Sequence, residues 1–223
     1  MSNQAIVIIA DVVGSSVLSP SNRIAVQDAI RRWCGEQIGF KFTGGDEFEW
    51  RLPDAPEALD EVLLLRTRLG SGSQSTPPVS IRCGIGRGAV LVESPLTPYA
   101  EDGPAYHRAR SALARLSPGW RRRIRPNGWP TDTPRPGLWT VCNSGQPSPL
   151  LDALWLMMDS LMEGWSPAQC EVIKLMMMGN TQAKMAESLA ISPQAVSKRL
   201  HAARVDLYLE GLRAAKTAWW GDA

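Results

Sequence analysis

The sequence predicts a two-part α+β chain: a β-α-β-β-α-β N-terminal part followed by an all-helical C-terminal part. Three observations predict it. As far as Leu116, short β-branched or glycine-bounded apolar runs alternate with stretches of helical periodicity. Six prolines fall between Pro126 and Pro149, which interrupts regular structure there. Beyond them the apolar spacing is helical and carries two Ser-Pro signals for a helix start.

The elements follow in order. Ile6-Val7-Ile8-Ile9 is a β-branched run of the kind that forms a buried strand. Val26, Ile30 and Trp33 lie at helical spacing within Asn22 to Trp33. Gly39 to Thr43 and Glu47 to Leu52 flank Gly44-Gly45, a hairpin signal, since the favoured tight turn needs positive φ at its centre. Pro53 and Pro56 stop the second of these strands, and Leu59, Val62, Leu65 and Leu69 mark a helix over Ala58 to Leu69. After a Ser/Gly/Pro loop, Val79 to Val92 reads as a strand interrupted by Gly84, Gly86 and Gly88, where bends or close backbone approaches are expected. A further helix is expected over Pro104 to Leu116. This order is the ferredoxin-like, split βαβ arrangement. In it the third strand runs antiparallel to the first, so Asp11 and the hairpin-tip Asp46 should converge. Leu138 to Cys142 adds an expected edge strand, and Leu150 to Met162 a linking helix. The expected division is residues 1–145, a linker over 146–165, and 166–223.

Composition narrows the class. A hydrophobic content of 44% supports a packed core, and a net charge of +2 argues against a protein that coats nucleic acid non-specifically. Cys34, Cys83, Cys142 and Cys170 are scattered without a C-x-x-C pair, which disfavours a disulfide framework or zinc site. No apolar run reaches membrane-spanning length. The expectation is a soluble cytoplasmic protein with no membrane partner.

The C-terminal part carries the most specific pattern. Ser166-Pro167 and Ser192-Pro193 each pair an N-cap with proline at the first helical position, and Thr181 caps a helix between them. Gly179 stops the first helix and Ala190-Ile191 makes a tight turn between the second and third. Met185, Ala186, Leu189, Ile191, Val196 and Leu200 have the spacing of a small core. This is a helix-turn-helix, and double-stranded DNA is the expected partner. Its expected contacts are Thr181, Gln182, Gln194, Ser197, Lys198, Arg199, His201 and Arg204. Gln pairs with adenine, and Lys or Arg reaches guanine or phosphate. The segment from Thr181 to Leu200 resembles tetrahelical regulators and region 4 of sigma factors. From Ser166 onward there are seven Lys/Arg against five Asp/Glu, a modest excess, so a homodimer with two linked half-site readers is expected.

In the N-terminal part Asp11 and Asp46 are the expected ligands of a divalent metal, Mg2+ or Mn2+, because such ions take hard oxygen donors. Gly14, Ser15, Ser16, Gly44 and Gly45 would let a nucleotide approach backbone N–H groups. Asp11 to Ser16, Arg23 and Gly45 to Phe48 together resemble the SatD family of bacterial proteins, and the likeness spans most of the chain. More distantly, the N-terminal part resembles class III nucleotidyl cyclases and GGDEF domains. Ile81 to Gly86 is similar to a cyclase strand, and Gly103 to Leu116 to the helix that follows it. The resemblance implies a nucleotidyl cyclase-like fold with metal-binding carboxylates at Asp11 and Asp46. It departs at three positions. His107 and Ser111 stand where a cyclase carries Asn and Arg, and Phe42 where it carries a base-selecting Lys, with Arg110 and Lys41 each displaced by one. The reading is therefore a DNA-binding transcriptional regulator that senses a nucleotide, a divalent metal or both. The alternative is a metal-dependent cyclase or nucleotidyl transferase with a DNA-binding appendage.

Other features stand beside these. Arg108 to Arg135 holds eight arginines against one acid, Asp132, a candidate phosphate-binding run. Trp155 and Trp165 are expected in the core. Trp219-Trp220 reads as a dimer contact or a frayed end. The methionines at 157, 158, 162, 176, 177 and 178 read as core filling.

Overall fold

A computed structural model describes residues 3–34, 39–91, 101–116, 140–143, 145 and 148–221 of the 223-residue chain. The elements are β1 (Asn3–Val12), a short 3-10 turn (Ser15–Val17), α1 (Pro20–Cys34), β2 (Phe40–Gly44), β3 (Glu47–Pro53), α2 (Ala58–Ser71), β4 (Ile81–Val90), α3 (Pro104–Arg115), β5 (Thr140–Asn143), α4 (Pro149–Glu163), α5 (Pro167–Met177), α6 (Gln182–Ser188), α7 (Pro193–Ala203) and α8 (Val205–Trp220). They form an α+β fold around a five-stranded mixed sheet, in the order β2-β3-β1-β4-β5. β1 pairs antiparallel with β3 and β4, and β2 pairs antiparallel with β3. β5 lies parallel to β4 at the edge, with Thr140 opposite Cys83. Leu138 and Trp139, within the predicted edge strand, lie outside the described residues.

β1 reads as a continuous apolar run because helices cover both faces of the sheet. Ile6, Ile8 and Ala10 join Val26 and Ile30 of α1 and Leu59 and Val62 of α2 in the main cluster. Ala5, Val7 and Ile9 face the other way and pack with Ala105, Tyr106 and Ala109 of α3.

The glycines of β4 do not break the strand, which runs unbroken from Ile81 to Val90. They bring α3 into backbone contact with the sheet. A Cβ at Gly84 would lie 2.2 Å from the Ala109 carbonyl oxygen, and one at Gly86 2.1 Å from that of Ala105. Ala105 and Ala109 supply the matching small residues on the helix, and both are buried.

The main cluster continues without a break into the helical part. Leu151, Trp155 and Met158 of α4, Trp165, Cys170 and Ile173 around α5, and Tyr208 and Leu212 of α8 all belong to it. One buried ion pair crosses this region. Arg66 of α2 places Nη1 2.6 Å from Oδ1 of Asp159 on α4 and 2.9 Å from Oγ1 of Thr140 on β5. The other carboxylate oxygen accepts from the Thr140 N–H at 2.8 Å. Burial alone would depress the Arg66 pKa, but the adjacent Asp159 reverses the sign and holds it above the ordinary guanidinium value.

The end that carries Trp219 and Trp220 is docked on the sheet part and is not frayed. Trp219 is 7% exposed and its carbonyl accepts from Arg87 Nη1. Trp220 Nε1 donates to Asp54 at 2.8 Å, and Arg87 Nε donates to the same oxygen at 2.8 Å. Lys216, one turn earlier, holds Asp60 at 2.6 Å. The end of α8 is thus docked on β4 and the β3–α2 connection. The methionines divide: Met158 is buried, whereas Met157 and Met178 are exposed.

Among the described residues no helix is long and apolar enough to cross a membrane. All four cysteines are buried and unpaired. Burial pushes the Cys83 thiol up to about 12 and the Cys170 thiol up to about 11, far from a reactive thiolate.

Candidate functional site

The α5–α7 unit is built from caps the sequence supplies. Ser166 and Gln169 form a reciprocal capping box at the start of α5. Thr181 Oγ1 accepts from Lys184 N at 3.3 Å and Ser192 Oγ from Ala195 N at 3.1 Å. Between α6 and α7 the chain turns through Ala190, which has φ 51°. The turn closes with Ile191 N–H donating to the Ala186 carbonyl at 3.0 Å. Met185, Ala186 and Val196 form a local core with Leu175, Met176, Ile191 and Leu200 against it. Leu189 packs instead on the main cluster. Replacing Ser192 by Ala removes the α7 cap, and the expected loss is about 1 kcal/mol in denaturant unfolding.

With this packing, α7 turns its polar residues outward. Gln194, Ser197, Lys198 and His201 are exposed, as are Thr181 and Gln182 at the start of α6 and Arg204 at the end of α7; Arg199 is half-buried. Among the described residues no carboxylate forms an ion pair with Lys198, Arg199 or Arg204. Arg204 caps α7 in the left-handed region, φ 50°, where the chain turns into α8. Trp165, just before α5, donates from Nε1 to the Ala203 carbonyl at 2.7 Å and packs its ring on Tyr208 at 5.1 Å. The last residue of α7 is therefore tied to the start of the unit and to α8.

At the far end of the sheet the register sets Asp11 opposite Glu47 on one side and Arg82 on the other. Asp46, in the hairpin turn, comes one residue away from this row. The two loops also share a support, since Arg23 of α1 donates to the Ser15 carbonyl at 3.2 Å and Gln27 to the Gly45 carbonyl at 2.5 Å. Gly14 and Gly45 adopt positive φ, 71° and 58°. Gly44 does not, and a Cβ there would meet nothing within 4 Å. Ser16 is exposed and Ser15 half-buried.

Asp11, Glu47 and Glu49 are already engaged. Arg82 grips Asp11 with both arms of its fork, Nε to Oδ1 at 2.8 Å and Nη2 to Oδ2 at 2.5 Å. That hydrogen bond raises the Arg82 pKa, and the charges of Asp11 and Asp46 add to it. Glu47 accepts from Thr43 Oγ1 at 2.9 Å. The two cations displaced by one from the cyclase pattern, Lys41 and Arg110, both hold the buried Glu49, at 3.0 and 2.8 Å. Phe42 packs with Phe40 and Phe48, Ser111 is exposed, and His107 lies 3.3 Å from Asp102. As arranged, Asp11 does not suit a bound cation, because the guanidinium takes one lone pair of each oxygen and sets a fixed positive charge beside the site. Among the described residues no group of three or more His, Cys, Asp or Glu is placed to hold a metal.

A cavity of about 400 Å3 lies nearby, but it opens between the sheet part and the helical part. Gly14 and Val13 line one side of it, and Met162, Trp165, Pro167 and Cys170 the other. Asp11 and Asp46 are not among its lining residues. Of the arginine-rich stretch only the first three fall among the described residues, and each is occupied. Arg108 donates to the Arg87 carbonyl at 2.6 Å, Arg110 holds Glu49, and Arg115 pairs with Asp152. Arg121, Arg122, Arg123, Arg125 and Arg135 lie outside the described residues.

Arg82 and the Arg66–Asp159 pair are missing from the sequence-based site list. Arg82 and Asp159 each had a signal, a single charge inside a largely apolar run, whereas Arg66 is followed closely by Arg68 and had none. Comparison with protein-family models and with curated proteins gives no match to this chain.

Proposed function

We propose that this chain is a DNA-binding transcriptional regulator that acts as a homodimer. In this reading α5 to α7 form a helix-turn-helix within an all-α C-terminal domain, and α7 enters the major groove. The observation that carries it is the outward face of α7. Gln194, Ser197, Lys198 and His201 lie exposed on a capped, locally packed helix whose cations have no carboxylate partner among the described residues. Unpaired cations are what a polyanion recruits, and Gln and Lys are side chains that read base edges. The modest charge of the unit supports a dimer, since one copy neutralises few phosphates.

The N-terminal part is proposed to be a ferredoxin-like, nucleotidyl cyclase-like fold that senses a nucleotide, with any Mg2+ or Mn2+ carried on its phosphates rather than held by Asp11. The strand order β2-β3-β1-β4 and its antiparallel pairing support that fold. The convergence of the Gly14–Ser16 and Gly44–Asp46 loops on α1 supports a ligand there. The grip of Arg82 on Asp11 favours a sensor over an enzyme, because a metal-first active site needs Asp11 open. The cavity shared by Gly14 and Trp165 gives a route from that loop to α7, through the Trp165–Ala203 hydrogen bond. A ligand shifts DNA binding only if it favours one arrangement of this seam over another.

The test is selection of genomic fragments by the purified full-length protein, with and without nucleoside triphosphate and Mg2+. A recurrent sequence whose recovery changes with nucleotide is the expected result. Recovery of no sequence above background contradicts the reading.

A further inference from the structure

A second cavity, of about 220 Å3, lies where α1, α2 and the 72–78 loop meet α5. Three cations from three helices line it: Arg32, Arg68 and Lys174. Each sits toward the C-terminal end of its helix, where the dipole favours a cation, and that alone accounts for each position. It does not account for the rest of the wall.

Among the described residues no acidic side chain lines this cavity, and no carboxylate forms an ion pair with any of the three cations. Three of the lining residues also carry a buried polar atom with no hydrogen-bond partner among the described residues, Trp33 Nε1, Arg68 Nε and Thr76 Oγ1. All three can donate, and folded proteins rarely leave several buried donors around one space. Thr76 is only 5% exposed. It is also held in place: Ser73 N–H donates to its carbonyl at 2.8 Å, and Gly72, at φ +62°, lets the loop close where a Cβ would lie 2.9 Å from that carbonyl.

Arg68 is satisfied only weakly. Its guanidinium lies 3.3 Å from the Trp33 ring centroid, and Nη2 reaches only the sulfur of Met178, at 3.4 Å. Burial lowers its pKa, with Glu61 opposing. Glu61 does not line the cavity, and burial pushes its own carboxyl upward, toward the neutral form.

We propose that this cavity binds a tetrahedral oxyanion of the phosphate class, held by Arg32, Arg68 and Lys174 with the Thr76 hydroxyl as a fixed donor. Four oxygens on one centre match several converging donors, which neither a water molecule nor a carboxylate does as fully. The space suits inorganic phosphate or the phosphoryl end of a small phosphate monoester. Because Lys174 belongs to α5 and the other two cations to α1 and α2, the anion would tie the first helix of the C-terminal unit to the sheet part. This site is independent of the Asp11–Asp46 reading.

The experiment uses the full-length protein in thermal-shift and calorimetric titrations with inorganic phosphate and with phenyl phosphate, against chloride at matched ionic strength. Wild type should be stabilised by phosphate over chloride, and tighter binding of phenyl phosphate would identify a monoester as the source. Lys174→Met and Thr76→Val should each weaken binding at least tenfold. Thr76→Val, which keeps the shape and removes the orphan hydroxyl, should leave the anion-free melting temperature unchanged or higher. Three results would overturn the proposal: no response of wild type to either phosphate, an undiminished response in both variants, or an effect of Lys174→Met on duplex DNA binding alone.

Discussion

Asp159→Ala should destabilise the protein by about 3–5 kcal/mol, the range for removing one partner of a buried ion pair. The reason lies in what remains. Arg66 is 5% exposed and would keep neutral partners alone, the hydroxyls of Thr140 and Tyr208, so a guanidinium would stay buried without its counter-charge. The Thr140 N–H would lose its acceptor as well. Arg66, Asp159 and Thr140 sit on α2, α4 and β5, so the loss should loosen the join between the sheet and the helices that follow. Urea unfolding checks the magnitude. Asp28→Ala, which breaks the half-exposed Arg31–Asp28 pair, should change stability by no more than about 0.5 kcal/mol. Equal effects of the two substitutions would refute the proposed importance of the buried pair.

Gly86→Ala is expected to be nearly as damaging, at about 3 kcal/mol, the upper part of the range for overpacking. The added methyl carbon would lie 2.1 Å from the Ala105 carbonyl oxygen and 2.4 Å from the Ala109 nitrogen. Both are backbone atoms of α3, so the helix as a whole must move, and Ala5, Val7 and Ile9 lose packing behind it. Gly44→Ala provides the contrast. Nothing stands within 4 Å and the backbone is not left-handed there, so stability should change little. A near-neutral Gly86→Ala would mean that α3 is not seated as described.

Most elements of this fold were legible because local physics and tertiary packing agree. The Ser-Pro and Thr caps mark where α5, α6 and α7 begin, and the β-branched run marks β1. The glycines of β4 show what periodicity cannot tell. The same residues that suggest bends also suit a straight strand with a helix laid on its backbone, and only α3, with Ala105 and Ala109, decides between them. The convergence of Asp11 with the hairpin followed from strand order. The occupation of Asp11 did not, because Arg82 lies 71 positions away and strand pairing alone brings the two together. Asp159 is a lone charge in an apolar run, but its partner Arg66 lies 93 residues away beside a second arginine, so nothing local pairs them. The tryptophans at the end of α8 lacked any local signal, since their partners, Arg87 and Asp54, come from the sheet part. Arg32, Arg68 and Lys174 were unremarkable as surface cations until three helix ends met around one space.

The central claim is that α7 reads DNA. Its most direct test is fluorescence anisotropy on a duplex recovered from genomic selection, comparing wild type with Gln194→Ala/Lys198→Ala across a salt series. Both side chains are exposed, so the fold should survive the change. At about 1–3 kcal/mol per base contact, the double variant should bind the selected duplex about 100-fold more weakly. Its affinity for a scrambled duplex should fall far less. Equal affinity of wild type and variant for the selected duplex would contradict the assignment of α7 as the recognition helix.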